Sequence, residues 1–546
     1  MPALMAPRQT QSTASAVACL ACRERHSRCD AVQPKCARCV RNRRECIYVA
    51  SRRGCKASSR QDSSPDSTHS SRTDITTSTP PTSVHSEHAS VRDQHTTAIP
   101  ADQHRHVDLY YQYFHKTHPF LLPQHFLHLQ PWSVLLQQVV SHIGSKYCGH
   151  AHHFDFESFV DSYVEVCTDK SIDMVQVRLL SAILLHTLVR PDSAVIQLNK
   201  AVDLALELGL HNEWFAVQQG MLHPLRAEST RRTWWELYVI DGYFAGFHHR
   251  PSFRCKESLA DTLLPGEEQE YEHGRSSQTC LSYHHLRRRV FLDDQTFSSF
   301  ALRIEAAGIL GRVLAANDPM SFVSIESNLG LDGLLSTWLS DLPASKPVVS
   351  TGGKCDELVF QAQMIVLMAS IYLHLPRSGI FNFVNSSDVA CAKANQIATP
   401  FLDPNLHASR AMDAAKSLTI LALSDLHGHH TPFFTCGLVL VAIVHLSAMA
   451  ALFDEPPECQ VDRLRQVFAL LRSVAKTWPL AENAVTQLKK IAAAASSLNP
   501  ASQPHSDMWT GREDFEALMS YMWWFDGRCC QWQPPAQLEQ DFYTTL

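Results

Sequence analysis

Apolar positions recur every three or four residues through most of the chain from Val107 onward, in segments at least three helical turns long. They are VQVRLLSAILLHTLVR at 175–190, LNKAVDLALELGL at 198–210, ESTRRTWWELYVIDGYFAG at 228–246, FSSFALRIEAAGILGRVLA at 297–315, DELVFQAQMIVLMASIYLHL at 356–375 and ASRAMDAAKSLTILALSDL at 408–426. VDLYYQYFHKTHPFLL opens the series, and Pro119 and Pro123 interrupt it. Proline and glycine fall mostly between these segments, and alternating strand patterns of comparable length are absent. The pattern predicts one large all-α body over 105–497, built from roughly twelve or more helices. A more polar, proline-punctuated segment, 498–546, follows it.

One stretch, FFTCGLVLVAIVHLSAMAALF at 433–453, is long enough to span a bilayer at about 1.5 Å per residue. It contains Gly437, His445 and Ser447 and lacks an aromatic belt or a flanking basic cluster. The expectation is a core helix and no membrane partner.

The periodicity stops on the N-terminal side. Residues 51–104 are dominated by Ser and Thr with isolated Ile and Val, too little apolar area to offset chain entropy, and are read as a disordered linker. No heptad seam runs through it, so the chain is expected to bind DNA either as a monomer or as a dimer held through the helical body. Residues 1–16 are small and polar and read as disordered; residues 17–50 form a basic, cysteine-rich module.

Charge changes this picture. The 546 residues carry a formal −6, but residues 1–56 hold 12 Arg plus Lys against 3 Asp plus Glu. That is +9 for the head and −15 for the remaining 490 residues. Six of the 17 cysteines lie between Cys19 and Cys46, and the N-terminus lacks the apolar core of a signal peptide, so a reducing interior is expected rather than a disulfide scaffold.

Those six are Cys19, Cys22, Cys29, Cys36, Cys39 and Cys46, in the order C-x2-C-x6-C-x6-C-x2-C-x6-C. Two tetrahedral thiolate sites need eight ligand positions, and six cysteines fill them if two bridge. The internal symmetry of the spacing selects Cys19 and Cys36 as the bridges. One zinc would take Cys19, Cys22, Cys29 and Cys36, and the other Cys19, Cys36, Cys39 and Cys46. A module of about 30 residues has too little core to fold unaided, so two Zn²⁺ would supply its folding energy.

This spacing resembles the zinc binuclear cluster (Zn2Cys6) of fungal transcription factors. YYQYFHKTHPFLLP (110–123), LALELGLH (204–211), RRTWWELYVIDGYFAG (231–246) and FSSFALRIEAAGILGRVL (297–314) resemble the fungal-specific regulatory domain that follows the cluster in many members. The resemblance implies a small zinc-stabilised two-helix DNA-binding module, a disordered linker and a large all-α regulatory domain. It also implies a nuclear, sequence-specific, RNA polymerase II regulator that reads CGG-like triplets in double-stranded promoter DNA. In such a module the first helix enters the major groove. Here it starts after Cys22 and carries Arg23, Arg25, His26 and Arg28. His26 stands where a lysine is usual and would donate to guanine N7 or O6 with little charge at pH 7. Arg41, Arg43 and Arg44 would meet phosphate, and Arg52 and Arg53 would follow the backbone.

Other patterns stay at background. The histidines at 125 and 128 and at 150, 152 and 153 do not form a three-ligand site with a neighbouring base. TGGK at 351–354 has Val348 where a phosphate loop needs glycine, and no G-x-S-x-G elbow occurs. Trp234, Trp235, Leu237 and Tyr238 are expected in the core. Residues 506–543 interleave acids with Trp, Phe, Leu and Met, which suits a coactivator partner or a closing helix, and favours an activator. A repressor of the same family and an enzyme fused to a zinc adaptor are the competing readings.

Overall fold

The computed structural model describes residues 22, 29–30, 35–42, 46, 101–148, 154–258, 260–275, 281–289, 296–318, 325–380, 403–425, 428–451 and 457–497. The chain divides into two compact units, Met1–Gln94 and His95–Leu546. In the first the longest described element is helix α1 (Ala37–Arg41). The segment read as disordered at 1–16, nearly all of the linker, and the segment 498–546 read as an acidic aromatic stretch or closing helix lie outside the described residues.

The second unit is helical. Its longer helices are α2 (Ala101–Leu109), α3 (Val134–Ser145), α4 (Ile172–Thr187), α5 (Pro191–Leu208), α6 (Glu213–Gly220), α7 (Pro224–Phe247), α8 (Ser299–Ala316), α9 (Ile325–Ser340), α10 (Glu357–His374), α11 (Pro404–Leu423), α12 (Phe434–Ala450), α13 (Pro457–Ala475) and α14 (Pro479–Ser497). Among the described residues there is no sheet, only one bridge between Val349 and Cys355. The helices pack mostly on sequence neighbours, as in α4 on α5 and α11 on α12, with α8 on α10 as the principal longer-range pair.

Local chemistry sets the boundaries. Ser133, Ser171, Ser298 and Asp356 each accept an orphan amide at the start of α3, α4, α8 and α10. Proline opens α5, α7 and α11, where its missing N–H costs nothing. Gly209, at φ 86°, ends α5 in the left-handed conformation. Helix α5 therefore starts at Pro191, well before the apolar run at 198. Helix α2 starts at Ala101, inside the last four residues read as linker. A polar first turn joins a helix when the turns after it pack, which apolar counting does not register.

Within the stretch at 433–453, α12 (Phe434–Ala450) is buried from Phe434 to Ala448 and packed on α11, α13, α14 and α10. The described helix long and apolar enough to cross a membrane is Glu357–Arg377, and it too is mostly buried, as a core helix is. Trp234, Trp235, Leu237 and Tyr238 are core residues.

One irregular segment of the body, 117–122, contains Pro119 and stops just before Pro123. It lies buried, and its carbonyls have no helix to bond to. Side chains supply the donors instead. Arg303 and Gln361 donate to the Thr117 carbonyl at 3.2 and 3.0 Å, and Arg232 to that of Pro119 at 3.2 Å. Ser229 donates to Phe120 at 2.8 Å, Tyr271 to Leu121 at 3.0 Å and Tyr111 to Leu122 at 2.6 Å. His118 bonds Glu236 through Nδ1 at 2.7 Å and Thr431 through Nε2 at 3.0 Å, and Arg303 pairs with Glu236 at 2.5 Å. His118, Glu236 and Arg303 are fully buried. The strings YYQYFHKTHPFLLP and RRTWWELY are thus two halves of one contact.

Burial by itself would raise the Glu236 carboxyl, but Arg303 and His118 outweigh it and hold the group below the ordinary carboxylate range. For His118 burial prevails, and its pKa is lowered despite Glu236.

Candidate metal centre and nucleic-acid interface

The head places five of the six cysteines among the described residues. Cys22, Cys36 and Cys39 are buried, and Cys29 and Cys46 pack against them. Two groups of sulfurs form, Cys22 with Cys29 and Cys36, and Cys36 with Cys39 and Cys46; within each, all Sγ atoms lie within 4.8 Å of one another. Cys36 belongs to both. The Cys22 and Cys36 sulfurs are 3.7 Å apart. Two thiolates on one tetrahedral zinc, each about 2.3 Å from it, stand about 3.8 Å apart, so the spacing fits a shared ion. Cys19 lies outside the described residues.

Backbone amides support the sulfurs. The Cys39 amide donates to Cys36 Sγ at 3.4 Å, which makes Cys36 the cap of α1, and the Cys36 amide donates to Cys46 Sγ at 3.3 Å. Asp30, directly after Cys29, accepts the Ala37 amide at 3.0 and 3.2 Å and so ties the first half-motif to the helix of the second. The two amide-to-sulfur bonds favour the thiolate form and fix its direction.

Helix α1 turns Cys39 inward and leaves Arg38, Val40 and Arg41 exposed, with Lys35 exposed just before it. Among the residues expected to touch DNA, Arg41 is the one described, and it faces solvent beside the sulfur cluster. Arg23, Arg25, His26, Arg28, Arg43, Arg44, Arg52 and Arg53 lie outside the described residues. Arg38 and Lys35 were missed by sequence reasoning. Arg38 stands three residues before Arg41, a spacing that shares one helix face and could have drawn attention to it. Asp30 was missed as well, because its role depends on a contact across the loop.

Elsewhere among the described residues no other group of His, Cys, Asp or Glu has metal-ligand geometry. His125 and His128 are exposed on a short 3₁₀ helix, Gln124–Leu129.

Comparison with known proteins adds to this geometry. The fungal Zn(2)-Cys(6) binuclear cluster domain matches residues 17–55, and the fungal specific transcription factor domain matches residues 107–322. The C6 finger domain transcription factor iacK of Pestalotiopsis fici is 28% identical over 591 aligned positions, covering 94% of this chain and 85% of that protein. No solved structure matches. The second domain contains the whole of segment 117–122 and both of its arginine partners, Arg232 and Arg303. A sulfur centre with the geometry for two zinc ions, joined in one chain to this helical domain, supports a DNA-binding transcription factor with a Zn2Cys6 cluster domain and a fungal-specific regulatory domain.

Proposed function

We propose that this factor acts in the nucleus as a sequence-specific activator of RNA polymerase II promoters, reading CGG-like triplets, and that it works by positioning rather than by catalysis. The observation that carries the reading is the sharing of Cys36 between two sulfur groups beside an outward-facing Arg38 and Arg41. In this proposal Cys19 and Cys36 bridge. Cys22 and Cys29 complete one zinc, and Cys39 and Cys46 the other. The ions cross-link a module too small to fold on apolar burial. Six thiolates and two Zn²⁺ sum to −2, so the surrounding arginines offset the cluster charge as well as meeting phosphate.

Base reading falls to the segment after Cys22, with His26 contacting guanine and Arg23, Arg25 and Arg28 beside it. Arg41, Arg43 and Arg44, followed by Arg52 and Arg53, supply sequence-independent attraction. The acidic, aromatic segment 506–546 offers coactivator anchors, and a second copy would join through the helical body.

Binding of His26→Ala and Arg41→Ala to CGG-containing and random duplexes, at two salt concentrations, tests the division of labour. His26→Ala should lose roughly 1–3 kcal/mol of discrimination with little change on random DNA. Arg41→Ala should weaken both duplexes alike and reduce the salt slope by about one contact. Equal losses on both duplexes for His26→Ala would remove His26 from base reading.

A further inference from the structure

The residues after Lys56 carry a formal −15, yet one part of the helical body is basic. The helical turn Tyr283–Leu286 and the two residues after it leave His284, His285, Arg287 and Arg288 exposed. Tyr283 fastens this turn to α8, its hydroxyl so close over Gly308 that an added Cβ would lie 2.3 Å from it. One turn further along α8, Arg312 is exposed, and Lys256 donates to the carbonyl of neighbouring Gly311 at 2.6 Å. Arg287 and Arg312 both act electrostatically on the Tyr283 hydroxyl, and Arg312 and Glu257 both act on Lys256. Cations from three separate stretches of the chain thus converge on one face.

Little on the body neutralises them. Glu305 is taken by Arg289 at 2.8 Å and by the Trp338 indole at 2.7 Å. Among the described residues no carboxylate pairs with Arg287, Arg288 or Arg312. The patch also lacks an apolar anchor, because the exposed large apolar side chains, Trp214, Met221 and Leu222 among them, belong to other elements. Protein partners draw most of their affinity from aromatic and other anchors seated in pockets, whereas a phosphate backbone is held by charge. Guanidinium groups match phosphate oxygens in a planar fork. The anion that suits this surface is a phosphodiester chain.

We infer that Arg287, Arg288 and Arg312 hold phosphates of the duplex flanking the head's site, a second and sequence-independent DNA contact made by the helical body. Residues 57–100, 44 positions, join head to body and can span up to about 150 Å, some four turns of duplex. Tethering makes this second contact intramolecular, so three phosphate contacts too weak to hold DNA alone still add to the affinity of the whole chain. The acidic remainder of the body is repelled by DNA, and the patch therefore fixes the face that the body turns to the promoter. The inference rests on DNA binding by the chain, not on the reading of CGG-like triplets.

Binding of the full chain and of R287Q/R288Q/R312Q to two duplexes centred on the same CGG-like triplet, one of about one helical turn and one of about four, tests it. Each phosphate contact contributes about 0.9 to the salt slope, so on the long duplex the unmodified chain should exceed the variant by about 2.7. That difference is a roughly forty-fold greater loss of affinity between about 50 and 200 mM salt. On the short duplex the two should bind alike, which also shows that the variant is folded. R287K/R288K/R312K should keep the larger slope, and hydroxyl-radical footprinting should show flanking protection that the glutamine variant loses. Equal slopes for the unmodified chain and the glutamine variant on the long duplex overturn the inference. So does a variant weakened on both lengths alike, which would place its effect in the head. A variant that binds the long duplex as before but no longer binds tripolyphosphate also overturns it, and would make the patch a small-anion site. If the slope difference persists on random long duplexes while no triplet is preferred, the body's contact stands and the CGG reading falls.

Discussion

The head buries the side chains of Cys22, Cys36 and Cys39 as its described core, whereas the body buries a continuous core that runs from Tyr110 to Ala492. The first cannot hold a fold by removing apolar surface from water, so metal bonds must do it. The second removes so much surface that charged groups are drawn in with it and must be matched internally. Glu236 and Arg303 are as fully buried as any leucine. The same chain therefore contains one unit whose stability depends on ligand chemistry and one whose stability depends on packing around a buried network of charged and polar groups.

Removing the ligand chemistry should give the largest effect. Cys36→Ala, which takes a sulfur from both groups, should abolish zinc binding and DNA binding together, while thermal unfolding of the body stays unchanged. Cys22→Ala removes a sulfur from one group and should retain more zinc. Zinc content, a DNA-binding assay and circular dichroism on the same samples would show whether the two units are independent in this way. A body that unfolded with the head would break the comparison.

Next in size is damage to the polar network. Glu236→Gln leaves the Arg303 charge buried opposite a neutral partner, and should cost about 3–5 kcal/mol of body stability in denaturant titrations. Replacing both Glu236 and Arg303 by Met should cost less than the single change, because no charge is then stranded.

Acid should act through the same region. His186 sits against Phe244, Phe247 and Phe433, with its Nε2 3.5 Å from Cys436 Sγ, and burial, aided by His248, pushes its pKa down to about 3. Its folded-state pKa is below its unfolded value of 6.5. The unfolded chain thus binds the proton first as pH falls, and the neutral histidine's contribution is complete above 6.5 and lost towards 3. Each unit of separation corresponds to about 1.4 kcal/mol, so stability should decline by a few kcal/mol over that window, and His186→Phe should flatten the decline.

The smallest expected effect is local. Gly144 lets α3 approach α2 so closely that an added Cβ would stand 1.8 Å from the His106 carbonyl oxygen. Gly144→Ala should displace α2 and cost about 1–3 kcal/mol, measurable by denaturant titration and by faster proteolysis after Arg105.

Legibility differs between the units for the same reason their stability does. The cysteine spacing is a local code, since ligands must lie within a few residues of one another to close small loops around an ion. The six-cysteine pattern was therefore readable, and the structure places Cys36 in both sulfur groups. The helices of the body were readable too, because period and capping residues act within one or two turns. Ser171 before α4 and Gly209 after α5 are examples. Composition reads linker up to 104, whereas the structure begins α2 at Ala101, because a polar first turn joins a helix when the turns after it pack.

Sequence by itself determined that this protein has a basic two-zinc head and an acidic all-helical body, since ligand count, charge and periodicity are properties of neighbouring residues. Only the tertiary structure decided what the buried charges of the body are for. His118 meets Thr431 across 313 positions, Arg303 reaches the Thr117 carbonyl across 186, and Arg232 reaches that of Pro119 across 113. No local pattern encodes such distances. They follow from one physical requirement, that the stranded carbonyls of a buried, proline-broken segment find donors wherever the folded chain brings them.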